Sequence, residues 1–103
     1  MKTDVLILGA GPAGCTAAIY LARAGFSAQI LGSAAPGGQL LHTVEIENFP
    51  GFPEPLSGAE LMERMHKQCE RFGIKITSEN AVSVDLSSRP FKIASSDGTE
   101  YQA

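Results

Sequence analysis

The chain has 103 residues, 44% hydrophobic and 18% charged, with a net charge of −3 and two cysteines. That is the size and balance of one small globular domain, burying somewhat over half of the surface its unfolded chain exposes. An acidic balance with no basic cluster argues against nucleic acid as a partner. The apolar start DVLILGAG is too short for a membrane span and lacks the flanks of a signal peptide, so a cytoplasmic setting with no membrane contact is expected.

The first element is DVLIL, Asp4 to Leu8, a continuous apolar run of the kind found in parallel strands covered on both faces. Pro12 to Ala24 reads as a helix rich in Ala, Leu and Ile, with Gly25 as its stop. SAQIL, Ser27 to Leu31, is a second short strand, which completes a βαβ unit. From Gly32 to about Leu56 the chain is irregular and carries Gly37, Gly38 and Gly51 among four prolines. Leu40, Leu41, Val44, Ile46, Phe49 and Phe52 make that stretch too apolar for disorder, so it reads as an ordered ligand-binding loop.

Regular structure resumes at Ser57-Gly58-Ala59-Glu60, a capping box in which hydroxyl and carboxylate each satisfy a backbone N–H. Leu61, Met62, Met65, Cys69 and Phe72 then recur on one helical face, and Gly73 ends the helix. Ile74 to Ile76 is a third strand. AVSVDL and PFKIAS read as antiparallel strands turning at Ser87-Ser88-Arg89, and TEYQA as the start of another. The fold class is therefore α/β, a parallel βαβ core with a β-meander.

Chemistry concentrates at the first turn. Gly9, Gly11 and Gly14 form Gly-x-Gly-x-x-Gly between a strand and a helix, the setting in which this motif binds a dinucleotide. Gly9 permits the tight turn, Gly11 lets the backbone approach a pyrophosphate, and Gly14 lets helix and strand pack closely. The helix N-terminus supplies N–H groups and partial positive charge, so no Lys or Arg is needed. A carboxylate for the adenosine ribose is expected at the end of the second strand. That place falls near Gly32, and no acid lies between Gly25 and His42. Either backbone groups and Ser33 hold the ribose, or binding is weaker.

Other polar residues read more plainly. Cys15 and Cys69 match neither a CxxC nor a metal spacing and read as packing residues. His42 and His66 read as surface histidines. Glu45 and Glu47 alternate with Val44 and Ile46 as one exposed edge, and Glu63, Arg64, Lys67, Glu70 and Arg71 form a solvated helix face or, as a second reading, a dimer contact. No residue is assigned a catalytic or metal-ligating role.

Taken together, GAGPAGCTAAIYLARAG, PGGQL, ENFPGFP, SGAELMERMHKQCERFG and VDLSSRPF resemble the N-terminal flavin domain of bacterial-type thioredoxin reductases, from about Val5 to Phe91 in order and spacing. The resemblance implies a Rossmann-like FAD/NAD(P)-binding fold with FAD extended across it. Gly9, Gly11, Pro12, Ala13 and Gly14 would face the pyrophosphate. Gly32, Ser33, Gly37, Gly38 and Gln39 would run along the adenosine and pyrophosphate side. Gln39 and Asn48 offer polar atoms to the flavin, Leu40 joins the cofactor-binding set, and the backbone at Ala81 would meet adenine.

It also implies that residues 1 to 103 are the N-terminal portion of the FAD domain, truncated before an NADPH domain and the redox CxxC. The parent enzyme would be a homodimer passing electrons from NADPH through FAD and that disulfide to thioredoxin. The 103 residues alone are expected to be inactive. Two alternatives stand beside this reading: a related flavoprotein with another acceptor, as in ferredoxin–NADP or peroxiredoxin reductases, and a non-catalytic dinucleotide-binding module.

Overall fold

The computed structural model describes residues 1–32 and 45–103. Its elements follow the expected order: β1 (Val5–Leu8), α1 (Pro12–Arg23), β2 (Ala28–Gly32), α2 (Gly58–Arg71), β3 (Lys75–Ser78), β4 (Ala81–Asp85), β5 (Lys92–Ser95) and β6 (Glu100–Gln102). β1, β2 and β3 form a parallel sheet in that order, while β4, β5 and β6 form an antiparallel meander. The chain is therefore α/β with a parallel sheet, as its sequence pattern predicts.

Both helices pack on one face of the parallel sheet. Cys15 and Ala18 of α1 meet Leu61, Met62, Met65 and Cys69 of α2 over Ile30 and Ile74. The meander covers the other face, where Leu31, Ile93 and Tyr101 pack with Leu6, Ala81 and Phe91. Period-two alternation explains how one strand serves both layers: Ile30 is 0% exposed toward the helices and Leu31 3% exposed toward the meander. Removing each such side chain from water contributes about 1.5–3 kcal/mol.

Local signals set the helix ends. The Ser57 hydroxyl accepts the Glu60 backbone N–H at 3.1 Å, the hydroxyl half of the capping box. Gly25 and Gly73 follow the two helices at φ +89° and +76°, a backbone that L side chains rarely adopt. One residue departs from expectation. Phe72, placed by periodicity on the apolar face, is 38% exposed, because α2 ends at Arg71 and Phe72 is already its C-cap.

The described part of the loop before α2 is tied at its ends. Ile46 donates its N–H to the Leu56 carbonyl at 2.7 Å and accepts from the Leu56 N–H at 3.1 Å. Both side chains enter the helix-side core, whereas Glu45 and Glu47 stay exposed on either side of Ile46.

Candidate functional site

The turn after β1 is built by three glycines that do different things. Gly9 has φ +120°, and its N–H donates to the Leu31 carbonyl at 2.7 Å, which ties the start of the turn to β2. Gly11 is the N-cap of α1 at φ −82° and ψ −170°, and Pro12 opens the helix. A Cβ on Gly14 would fall far inside contact distance of the Gly9 carbonyl oxygen, with Gly9 C at 3.2 Å and Ile7 Cγ2 at 3.3 Å close behind. The missing side chain lets α1 begin directly against the strand it follows.

The two helix N-termini differ in how they are satisfied. That of α2 has the Ser57 hydroxyl and the acidic Glu60 in its first turn. That of α1 has no side-chain cap and no acidic residue in its first turn among the described residues. Its leading N–H groups keep their partial positive charge. Ala13 of that turn is exposed, while Gly11 and Pro12 are half-buried.

A groove of about 370 Å³ lies at the carboxyl ends of the parallel strands. Leu8 and Gly9 enter it from β1, Leu31 and Gly32 from β2, and Glu79, Asn80 and Ala81 from the link between β3 and β4. The fold thus brings Gly9, Gly32 and Ala81 together although they span most of the chain. Gly32 is buried and continues β2 as ladder partner of Ser78. Open parallel α/β sheets bind ligands at this end of their strands.

Two groove residues escaped the sequence reading. Glu79 and Asn80 follow a short strand and carry no motif; only the pairing of β3 with β2 places them beside Gly32. Glu79 is half-buried, and its carboxylate accepts from the Ser96 hydroxyl of the meander. The Asn80 N–H meets the same hydroxyl oxygen at 3.3 Å.

The remaining predicted residues are not gathered at this groove. Asn48 is exposed in a bend within the loop before α2. Ser33, Gly37, Gly38, Gln39 and Leu40, with His42, lie outside the described residues.

His66 corrects the expectation of a surface histidine. Its ring is half-buried, and Nε2 stands 3.0 Å from the Ala10 carbonyl oxygen. The two cysteines converge beside it. Cys15 and Cys69 are each 0% exposed, the Cys69 thiol donates to the Cys15 carbonyl at 3.7 Å, and the Cys15 thiol points to the Ala10 carbonyl at 3.8 Å. Burial, and then the neighbouring Cys69, push the Cys15 thiol up to about 12, and burial also raises Cys69. Both stay protonated near neutrality, the opposite of an activated thiol.

A second cleft, of about 330 Å³, opens between α1 and α2 beneath Phe49 and Phe52, with the Arg64 guanidinium 5.3 Å from the Phe52 ring centre. It holds none of the predicted site residues. Among the described residues there is no group of three or more His, Cys, Asp or Glu placed to hold a metal ion, and no helix long and apolar enough to cross a membrane.

Residues 3–103 match the model of the family described as pyridine nucleotide-disulphide oxidoreductase. The whole chain is 50% identical over 103 residues to a thioredoxin reductase of Rickettsia bellii (strain RML369-C) and covers 33% of that protein. It is 55% identical over 102 residues to a thioredoxin reductase of Neurospora crassa, an alignment covering 91% of this chain and 30% of that one. The chain thus spans about a third of the length of these relatives. The thioredoxin reductase structure from Streptococcus pyogenes MGAS5005 superposes with a TM-score of 0.90 at 36% identity, over 99% of this chain and 33% of the other.

Proposed function

Since this chain belongs to the pyridine nucleotide-disulphide oxidoreductase family, we propose that it holds FAD as the N-terminal part of the flavin domain of a thioredoxin reductase. The parent enzyme passes electrons from NADPH to FAD, to a redox disulfide and on to thioredoxin. The observation that carries this reading is the N-terminus of α1, without a side-chain cap among the described residues and set by Gly14 tight against Gly9, which lines the groove where the three parallel strands end. The identity to two thioredoxin reductases over most or all of the chain points the same way.

The residues suit the cofactor. The leading N–H groups of α1 would hold the pyrophosphate, with no acidic residue in that turn to repel it. Gly32 and the backbone at Ala81 would border the adenosine, and Glu79 lines the same groove where the second strand supplies no carboxylate. Gly37, Gly38, Gln39, Leu40 and Asn48 complete the cofactor-binding set on the strength of the family resemblance. Bound there, FAD supplies the two-electron relay between a pyridine nucleotide and a disulfide.

The buried, protonated Cys15 and Cys69 are unsuited to that relay, so the reading assigns the redox disulfide to another part of the parent. A homodimer working in the cytoplasm follows from the same resemblance. The test is to purify the full-length protein, record its flavin spectrum, and follow NADPH-dependent reduction of thioredoxin. A flavin spectrum with turnover is expected. Apoprotein that takes up no FAD on titration would overturn the reading, and FAD uptake without thioredoxin turnover would overturn its choice of acceptor.

A further inference from the structure

His66 lies 56 residues after Ala10, yet its Nε2 is 3.0 Å from the Ala10 carbonyl oxygen. A carbonyl oxygen only accepts, so Nε2 carries the proton and the ring donates it. We propose that His66 is a positioning residue for cofactor binding, acting through the Ala10 carbonyl to aim the Gly11 N–H at the pyrophosphate. The inference rests on the FAD reading above.

The Ala10 carbonyl and the Gly11 N–H belong to one planar trans peptide, so the two groups point in opposite directions. Drawing the carbonyl toward α2 turns the Gly11 N–H away from α2. Gly11 is the N-cap of α1, and among the described residues no side chain caps that terminus. The plane of that peptide turns about ψ of Ala10 and φ of Gly11, and Gly11 has no Cβ to restrict its side of the motion, so an anchor on the carbonyl fixes where the N–H points.

The anchor is itself held firmly. Met62 and Cys69 flank His66 on α2 at four and three residues' distance, and they are 1% and 0% exposed. The helix that carries them is capped at Ser57. The second donor near the Ala10 carbonyl, the Cys15 thiol at 3.8 Å, is a weak one. Ala10 is only 5% exposed, which leaves little room for water to take over from the imidazole. Among the described residues, His66 is therefore the principal partner of that carbonyl.

The experiment uses the full-length protein stripped of flavin and titrated with FAD by fluorescence, with the apoprotein melting temperature read in parallel. His66→Gln keeps an N–H at about the reach of Nε2; His66→Asn keeps the polarity but falls short; His66→Phe keeps the bulk without a donor. Asn and Phe should weaken FAD about tenfold or more, and Gln should stay within about threefold of the parent. If Phe fails to fold, the Gln and Asn pair decides. Asn binding FAD like the parent, or Gln losing as much as Asn, would overturn the positioning role. A parent protein with no FAD affinity would overturn both this role and the function it rests on.

Discussion

The Gly9 carbonyl oxygen occupies the space that a Cβ on Gly14 would need. Strand, turn and helix are thereby locked into one unit that starts at Gly9, on the groove at the ends of the parallel strands. The consequence is a reversal of the usual helix rule. Gly→Ala inside a helix normally gains a few tenths to 1 kcal/mol. Here Gly14→Ala should cost about 2–3 kcal/mol, because the obstacle is backbone and cannot swing aside. Denaturant unfolding of the flavin-free full-length protein measures it. A neutral or stabilising effect would mean that α1 does not begin so close to β1.

Gly11 should behave differently. Its φ of −82° and ψ of −170° are open to any residue, so a side chain there is not excluded by the backbone. Gly11→Val should cost the apoprotein about 1 kcal/mol or less through poorer capping, leave most helical signal in circular dichroism, and sharply reduce bound flavin. Normal FAD content in the purified full-length variant would sink the assignment of this turn to the pyrophosphate.

Glu79 is the carboxylate that the fold brings to a groove whose second strand ends in Gly32. Glu79→Ala should weaken FAD by about 1 kcal/mol, the value of one charged hydrogen bond. Thermal unfolding of the apoprotein should change little, since the position is only half-buried. Fluorescence titration with FAD gives the answer; unchanged affinity would leave the ribose to backbone groups and Ser33.

The paired thiols predict a pH dependence with a definite sign. Cys15 rises from an ordinary 9.0 to about 12, first through burial and then through Cys69 beside it. Between those values the unfolded chain has released a proton that the folded chain still holds, so stability falls as pH climbs from 9 toward 12. Cys15→Ala should show a shallower alkaline decline in denaturant titrations. Below pH 9 both cysteines should resist a thiol reagent in the folded state and react after unfolding. Rapid labelling of the native protein at pH 8 would contradict their burial.

Much of this fold can be read from neighbouring residues. The apolar run of Val5–Leu8, the glycines at 9, 11 and 14, the Ser57 cap and the glycines at 25 and 73 act over one to five positions. Their effects come from backbone dihedrals, local hydrogen bonds and side-chain period. The expected strands and helices therefore match the observed ones to within a residue or two. The same local logic misplaced Phe72, because periodicity does not show where α2 stops against the rest of the chain.

What neighbours could not determine is what converges. Glu79 reaches the groove because β3 pairs with β2, Gly32 opposite Ser78, and a strand's own sequence does not name its partner. Cys15 and Cys69 meet because α1 and α2 pack on the same sheet face, and His66 reaches Ala10 for the same reason. Spacing alone left that histidine at the surface. A hydrogen bond between residues 56 apart exists only once sheet order and helix packing have fixed the distance between them, so only the tertiary structure could turn His66 inward to the glycine turn.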